Sequence, residues 1–167
     1  DYSGSTLNHG SKVIFAVAGS PIRSLGRSAE DLANLNLPDG FLNPQIAFPG
    51  ALVIEASPSA QIEVLACALS NWDAREKFPF VTVTEDASFA AKNMDNWLWV
   101  TFTRSDPARD IYGANSHFEN KHWTCEAPLC IDARMKPQMQ AVVEEDPQIE
   151  ALARDILHRA QKQQCRH

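Results

Sequence analysis

Long apolar runs are missing from this sequence. The longest, such as Val13 to Ala18 and Ala51 to Ile54, fall far short of the roughly 20 residues that a membrane-spanning helix needs. Excess basic charge is missing too. Lys and Arg number 15 against 21 Asp and Glu, for a net charge of -6, and the two signs are mixed, so no basic stripe can neutralise a phosphate backbone. The expectation is a soluble protein with neither a membrane nor nucleic acid as partner. Cysteine is scarce: Cys67, Cys125, Cys130 and Cys165 are too few and too unevenly spaced for the disulfide framework of a small secreted domain. A reduced, cytoplasmic setting is expected. No charged leader, internal repeat or low-complexity stretch stands out. The chain opens at Asp1 in mid-pattern, without a methionine, and is expected to be a fragment of a longer protein.

What is present is ordinary globular material, 167 residues with 44% apolar and 22% charged side chains, enough for one domain with a core. Lys12 to Ala18, closed by Gly19-Ser20-Pro21, predicts a buried strand and a turn. Ser28 with Asp31 three residues on is a variant capping box for a short helix. Leu37 to Gly50 carries three prolines and two glycines and predicts an irregular loop of functional length. Ala51 to Ala56 predicts a second strand. Ser57-Pro58 predicts a helix start, followed by Ile62, Leu65, Ala66 and Leu69 at helical spacing. Phe80 to Thr84 predicts a third strand.

From Asn93 to Thr103 two signals conflict. Trp97-Leu98-Trp99-Val100-Thr101-Phe102 is rich in strand formers, while Met94, Trp97, Leu98 and Thr101 keep a helical stripe. The last element is plainer: Asp146 as N-cap, Pro147 at the first helical position, and one apolar face of Ile149, Leu152, Ala153, Ile156, Leu157 and Ala160. Strands alternating with helices imply an α/β fold, a single domain with a mixed or parallel sheet flanked by helices and ending in a long amphipathic C-terminal helix.

The order Phe80-Val-Thr-Val-Thr-Glu-Asp86, then Leu98-Trp99-Val100-Thr101-Phe102-Thr103-Arg104, then Ser105-Asp106-Pro107-Ala108-Arg109-Asp110, then Pro128 to Pro137 containing Ile131-Asp132-Ala133, resembles the C-terminal domain of UbiD-like decarboxylases. The resemblance is good over about residues 80–137 and weaker before, where Phe48-Pro49-Gly50 is similar to the family's Pro-Gly turn. It implies a helix over residues 92–103, against local propensity. Lys121-His122-Trp123-Thr124-Cys125 is similar to members acting on hydroxylated aromatic acids.

The resemblance further implies a reversible, non-oxidative decarboxylase. In such an enzyme prenylated FMN, with a divalent metal (manganese or magnesium) and potassium, sits on a preceding flavin-binding domain; no cofactor is expected in this chain alone. The family's Glu-Arg-Glu catalytic triad has no counterpart here, because Glu144, Glu145 and Arg154 fall on what reads as a solvated helical face. The implied organisation is a linker at 1–11, the α/β domain at 12–146 and a C-terminal helix at 147–167 that contacts a neighbouring protomer of a homo-oligomer.

Loss of CO2 from an aromatic acid leaves a carbanion, so a cofactor must act as electron sink while positioned groups hold the substrate. His122 is the first candidate, hydrogen-bonding a phenolic oxygen that gains negative charge. His9, in the polar segment from Ser5 to Gly10, and Lys121, as positive potential beside a substrate carboxylate, are the other substrate-binding candidates. Arg104, Asp106, Arg109, Asp110, Asp132 and Arg134 read as architectural contacts. A rival reading takes His117, His122, Cys125 and Cys130 as zinc ligands in one loop, although their spacing departs from paired knuckles. A purely structural assembly module is the third reading.

Overall fold

The computed structural model describes residues 14, 16, 18–137, 139 and 147–164. In chain order the elements are β1 (Phe41–Phe48), β2 (Ala51–Ala56), α1 (Ile62–Ser70), β3 (Phe80–Thr84), α2 (Ala87–Ala90), α3 (Met94–Arg104), β4 (Ile111–Glu119), β5 (His122–Asp132) and α4 (Pro147–Gln164). They form two compact units, residues 1–137 and 138–167.

The first unit is built on a mixed five-stranded sheet in the order β1-β2-β3-β5-β4. β2, β3 and β5 run parallel, and β1 and β4 are antiparallel edge strands. Because side chains alternate across a strand, Leu52, Ile54, Val81, Val83 and Cys130 enter one core with Ile62, Leu65, Ala66 and Leu69 of α1. Ala51 and Val53 enter a second core with Ala87, Ala90, Trp97 and Val100 from α2 and α3. The α/β expectation holds: the sheet is mixed and flanked by helices on both faces.

The helix expected at residues 92–103 is α3, Met94–Arg104. Tertiary contacts overrule strand propensity here. The indole Nε1 of Trp97 donates to Thr82 Oγ1 at 3.0 Å, and Thr82 Oγ1 lies 3.2 Å from Thr101 Oγ1, both inside the protein. Asn93 caps the helix by accepting the Asn96 N–H at 2.8 Å. The buried face is Trp97, Val100 and Thr101, which leaves Met94 and Leu98 of the expected stripe exposed.

Three expectations need correction. The segment 37–50 is not a loop, since β1 occupies Phe41–Phe48. Pro44 is tolerated because β1 is an edge strand and its ladder with β2 is irregular between Leu42 and Gln45, where Asn43 has φ 49°. Helix α1 starts at Ile62, with Gln61 at the N-cap position, rather than at Ser57-Pro58; Arg134 instead holds the carbonyls of Ser57 (2.9 Å) and Ala60 (2.8 Å). The strand expected at 12–18 lies mostly outside the described residues. Residues 14, 16 and 18 form no strand and are exposed, Ile14 at 88%. The short helix after Ser28 is one 3-10 turn, Ala29–Leu32, with Asp31 accepting the Ser28 N–H at 3.1 Å.

In the second unit α4 is a single helix in which Ile149, Leu152, Ile156 and Leu157 are 57–66% exposed. Its expected cap, Asp146, lies outside the described residues.

Candidate functional site

β5 pairs with β3 only from Leu129 to Asp132, whereas β4 and β5 pair with each other out to Glu119 and His122. The outer part of this hairpin is a two-stranded ribbon projecting past the sheet. Asn120 (φ 49°) and Lys121 (φ 70°) close it. Two positive φ values are what a tight turn needs to match the twist of its strands, and the usual occupant of the second position is glycine. Phe118 and Trp123 are directly paired across the ribbon and are 77% and 40% exposed.

His122 therefore begins a strand, opposite Glu119, rather than sitting in a loop. It is exposed, and strand alternation directs it to the face opposite Trp123. Lys121 is exposed in the adjoining turn. The structure thus brings Lys121 and His122 together at one tip, with the Phe118–Trp123 pair on the face that His122 turns away from. His9 lies outside the described residues.

The four residues weighed as zinc ligands are spread along the hairpin. His117 pairs opposite Thr124, with Nδ1 3.0 Å from the carbonyl oxygen of Asn115. Cys130 is wholly buried in the sheet, and burial pushes its thiol up to about 12. A zinc ligand must be a thiolate, which burial of Cys130 disfavours. Among the described residues no three His, Cys, Asp or Glu side chains are grouped to hold a metal ion.

A cleft of about 330 Å³ lies beside the ribbon's base, between α1 and β4, with Glu63, Cys67, Tyr112, Gly113 and Trp123 in its walls. Gly113 is obligatory: a Cβ there would come within 2.3 Å of Cys125 Cβ and 2.4 Å of its Sγ. Burial raises the Tyr112 hydroxyl, and the Glu63 carboxylate adds to the effect. Among the described residues no Lys or Arg lines the cleft, so its electrostatics do not suit an anionic acid.

At the C-terminal ends of the parallel strands, where open α/β sheets often bind ligands, the charges are already paired. Arg134 forks onto Asp132 through Nε (2.9 Å) and Nη2 (2.7 Å). Lys136 Nζ reaches Asp110 at 3.1 Å and donates to the Arg104 carbonyl at 2.8 Å, and Arg104 pairs with Glu85 at 3.3 Å. Burial alone would raise the Asp132 carboxyl, but Arg134 and Lys136 together hold it below the usual carboxylate range. These groups tie the strand ends to one another, the architectural role expected for them. Sequence reading missed the hairpin itself. Its signal was Asn120 between two runs carrying Phe118 and Trp123.

Fold and site together define a mixed α/β domain with a projecting aromatic ribbon. In sequence the chain is 31% identical over 155 residues to a 4-hydroxybenzoate decarboxylase subunit of Chlamydia pneumoniae, a match covering 88% of this chain and 24% of that protein. It is 36% identical over 146 residues to an uncharacterised protein of Chlamydia muridarum, covering 87% and 24%, and 35% identical over 162 residues to one of Chlamydia trachomatis, covering 95% and 26%. The chain spans about a quarter of the length of these relatives. No family model matches it. Among solved structures, an open form of Sedimentibacter hydroxybenzoicus vanillic acid decarboxylase matches with a TM-score of 0.42 and 15% identity, over 66% of this chain and 27% of that one.

Proposed function

We propose that this chain is the C-terminal part of a UbiD-like, reversible, non-oxidative decarboxylase of hydroxylated aromatic acids, and that its ribbon tip completes the substrate pocket. The observation that carries this reading is the likeness to a 4-hydroxybenzoate decarboxylase subunit over 88% of the chain. The geometry supports it. Lys121 supplies positive potential for a carboxylate and His122 a hydrogen bond for a phenolic oxygen.

The described residues offer no grouped metal ligands, so they do not fit the divalent metal that accompanies prenylated FMN. We assign that flavin, the metal and potassium to a flavin-binding domain elsewhere in the complete enzyme. The same holds for the Glu-Arg-Glu triad: of its nearest candidates here, Arg154 is exposed on α4 and pairs with Glu150, while Glu144 and Glu145 lie outside the described residues. His9 joins the pocket from the linker in this reading. The exposed stripe of α4 serves a homo-oligomer contact, and the enzyme works in the cytoplasm. No described helix is long and apolar enough to cross a membrane.

The test is to purify the complete protein, record its flavin absorbance and follow CO2 release from 4-hydroxybenzoate and vanillate. Bound flavin with release from at least one acid is expected. A complete protein that binds no flavin and releases no CO2 overturns the reading.

A further inference from the structure

The cleft of about 330 Å³ between α1 and β4 takes no part in the chemistry assigned above, yet it has the size at which small-molecule sites begin, roughly 300 Å³. Its floor stays open because Ala66, Gly113 and Ala114 carry little or no side chain, and Cys125 fills the space that a Cβ on Gly113 would take. Two of its polar side chains are committed. Asn115 donates to Glu126 at 3.0 Å and Ser70 to the Cys67 carbonyl at 2.6 Å. The Glu63 carboxylate, the Tyr112 hydroxyl and the Trp123 indole N–H have no hydrogen-bond or ion-pair partner among the described residues.

We propose that this cleft binds a small organic ammonium ion, held by the Glu63 carboxylate and the Trp123 ring. An anion is disfavoured, because among the described residues no Lys or Arg lines the cleft. A bare metal ion is disfavoured as well. Among the described residues Glu63 is the one carboxylate in the wall and no three His, Cys, Asp or Glu side chains are grouped, whereas hard cations need several oxygen ligands. An alkylammonium asks for less. One carboxylate serves it, together with an aromatic face whose negative quadrupole attracts cations, and indole is the strongest such face among side chains.

The surrounding charges agree. The Tyr112 hydroxyl is raised first by burial, then by the carboxylates of Glu63, Asp132 and Asp110, with Arg134 opposing them. Three carboxylates against one guanidinium leave the cleft wall negative. Glu63 is exposed, where an ion pair by itself contributes little, so the ring and this wider negative field supply the rest. The site goes beyond the decarboxylase reading and does not rest on it. Its ligand carries the opposite charge to an aromatic acid, and it takes the Trp123 side of the ribbon, from which His122 turns away.

The test titrates the complete protein by calorimetry with choline and with its uncharged isostere, in which a tert-butyl group replaces trimethylammonium. Choline is expected to bind about tenfold more tightly than the isostere. Glu63→Gln, at an exposed position of α1, and Trp123→Leu should each weaken choline about fivefold, with the melting temperature of Glu63→Gln retained. Cys67 lines the same cleft and reports the location. Saturating choline should slow its alkylation by iodoacetamide severalfold, read by peptide mass spectrometry. No choline binding, equal affinity for choline and the isostere, an unchanged choline affinity in Glu63→Gln, or an undiminished rate of Cys67 alkylation each overturns the proposal.

Discussion

Arg134 grips Asp132, two residues before it, through two parallel hydrogen bonds, and its remaining nitrogen is spent on the backbone carbonyls of Ser57 and Ala60. One guanidinium therefore fastens the end of β5 to the turn that leads into α1. Both side chains are largely shielded, at 13% and 10% exposure, where a forked pair keeps more of its strength than at the surface.

Arg134→Ala is expected to destabilise the fold by about 3 kcal/mol, because it takes the guanidinium from the shielded Asp132 carboxylate and from the Ser57 and Ala60 carbonyls. Arg134→Lys recovers only part, since an ammonium cannot fork. The Asp132 carboxyl lies lower in the folded than in the unfolded state, so its contribution is fully present above the unfolded value of about 3.9 and is lost as the pH falls through the lower folded value. Urea titrations of the wild type and Asp132→Asn should differ most near neutrality and converge in acid.

Lys121 takes a positive φ that costs a side-chain-bearing residue about 1 kcal/mol and glycine nothing. Lys121→Gly should raise the unfolding midpoint while weakening binding of an aromatic carboxylate, seen as a higher KM in the complete enzyme. If stability rises and KM does not move, Lys121 closes the turn and does nothing for the substrate.

The cysteines should separate sharply by reactivity. Cys67 is exposed, whereas Cys130 is wholly buried with its thiol pushed up to about 12, and only thiolates react quickly. A disulfide reagent at pH 8 is expected to label Cys67 within minutes and Cys130 only after unfolding. Prompt labelling of Cys130 in native protein contradicts the sheet register described above.

Much of the sheet could be read in advance, because β2 and β3 are short runs of β-branched residues bounded by turn formers, and α1 keeps its stripe of Ile62, Leu65, Ala66 and Leu69. What escaped depended on partners distant in sequence. Pro44 signals a break locally, yet an edge strand needs only one of its sides bonded. Ser57-Pro58 has the form of a helix cap, yet Arg134, more than seventy residues away, claims those carbonyls. The helical form of α3 came from family resemblance, since its anchor, the Thr82–Thr101–Trp97 group, is visible only once sheet and helix are packed. In the site, Lys121 and His122 were singled out from sequence, but the ribbon that carries them was not. A hairpin without an Asn-Gly turn has a weak signature, and the spacing of Phe118 and Trp123 means nothing until the register is known.

Whether the ribbon tip touches substrate is the central question. Steady-state kinetics of His122→Ala in the complete, flavin-loaded enzyme, with the hydroxylated aromatic acid that the wild type turns over fastest, tests this most directly. A fall in kcat/KM of about a hundredfold, the scale of one lost hydrogen bond to a developing oxyanion, with flavin content unaltered, is the predicted result. Kinetic constants equal to the wild type's would contradict it.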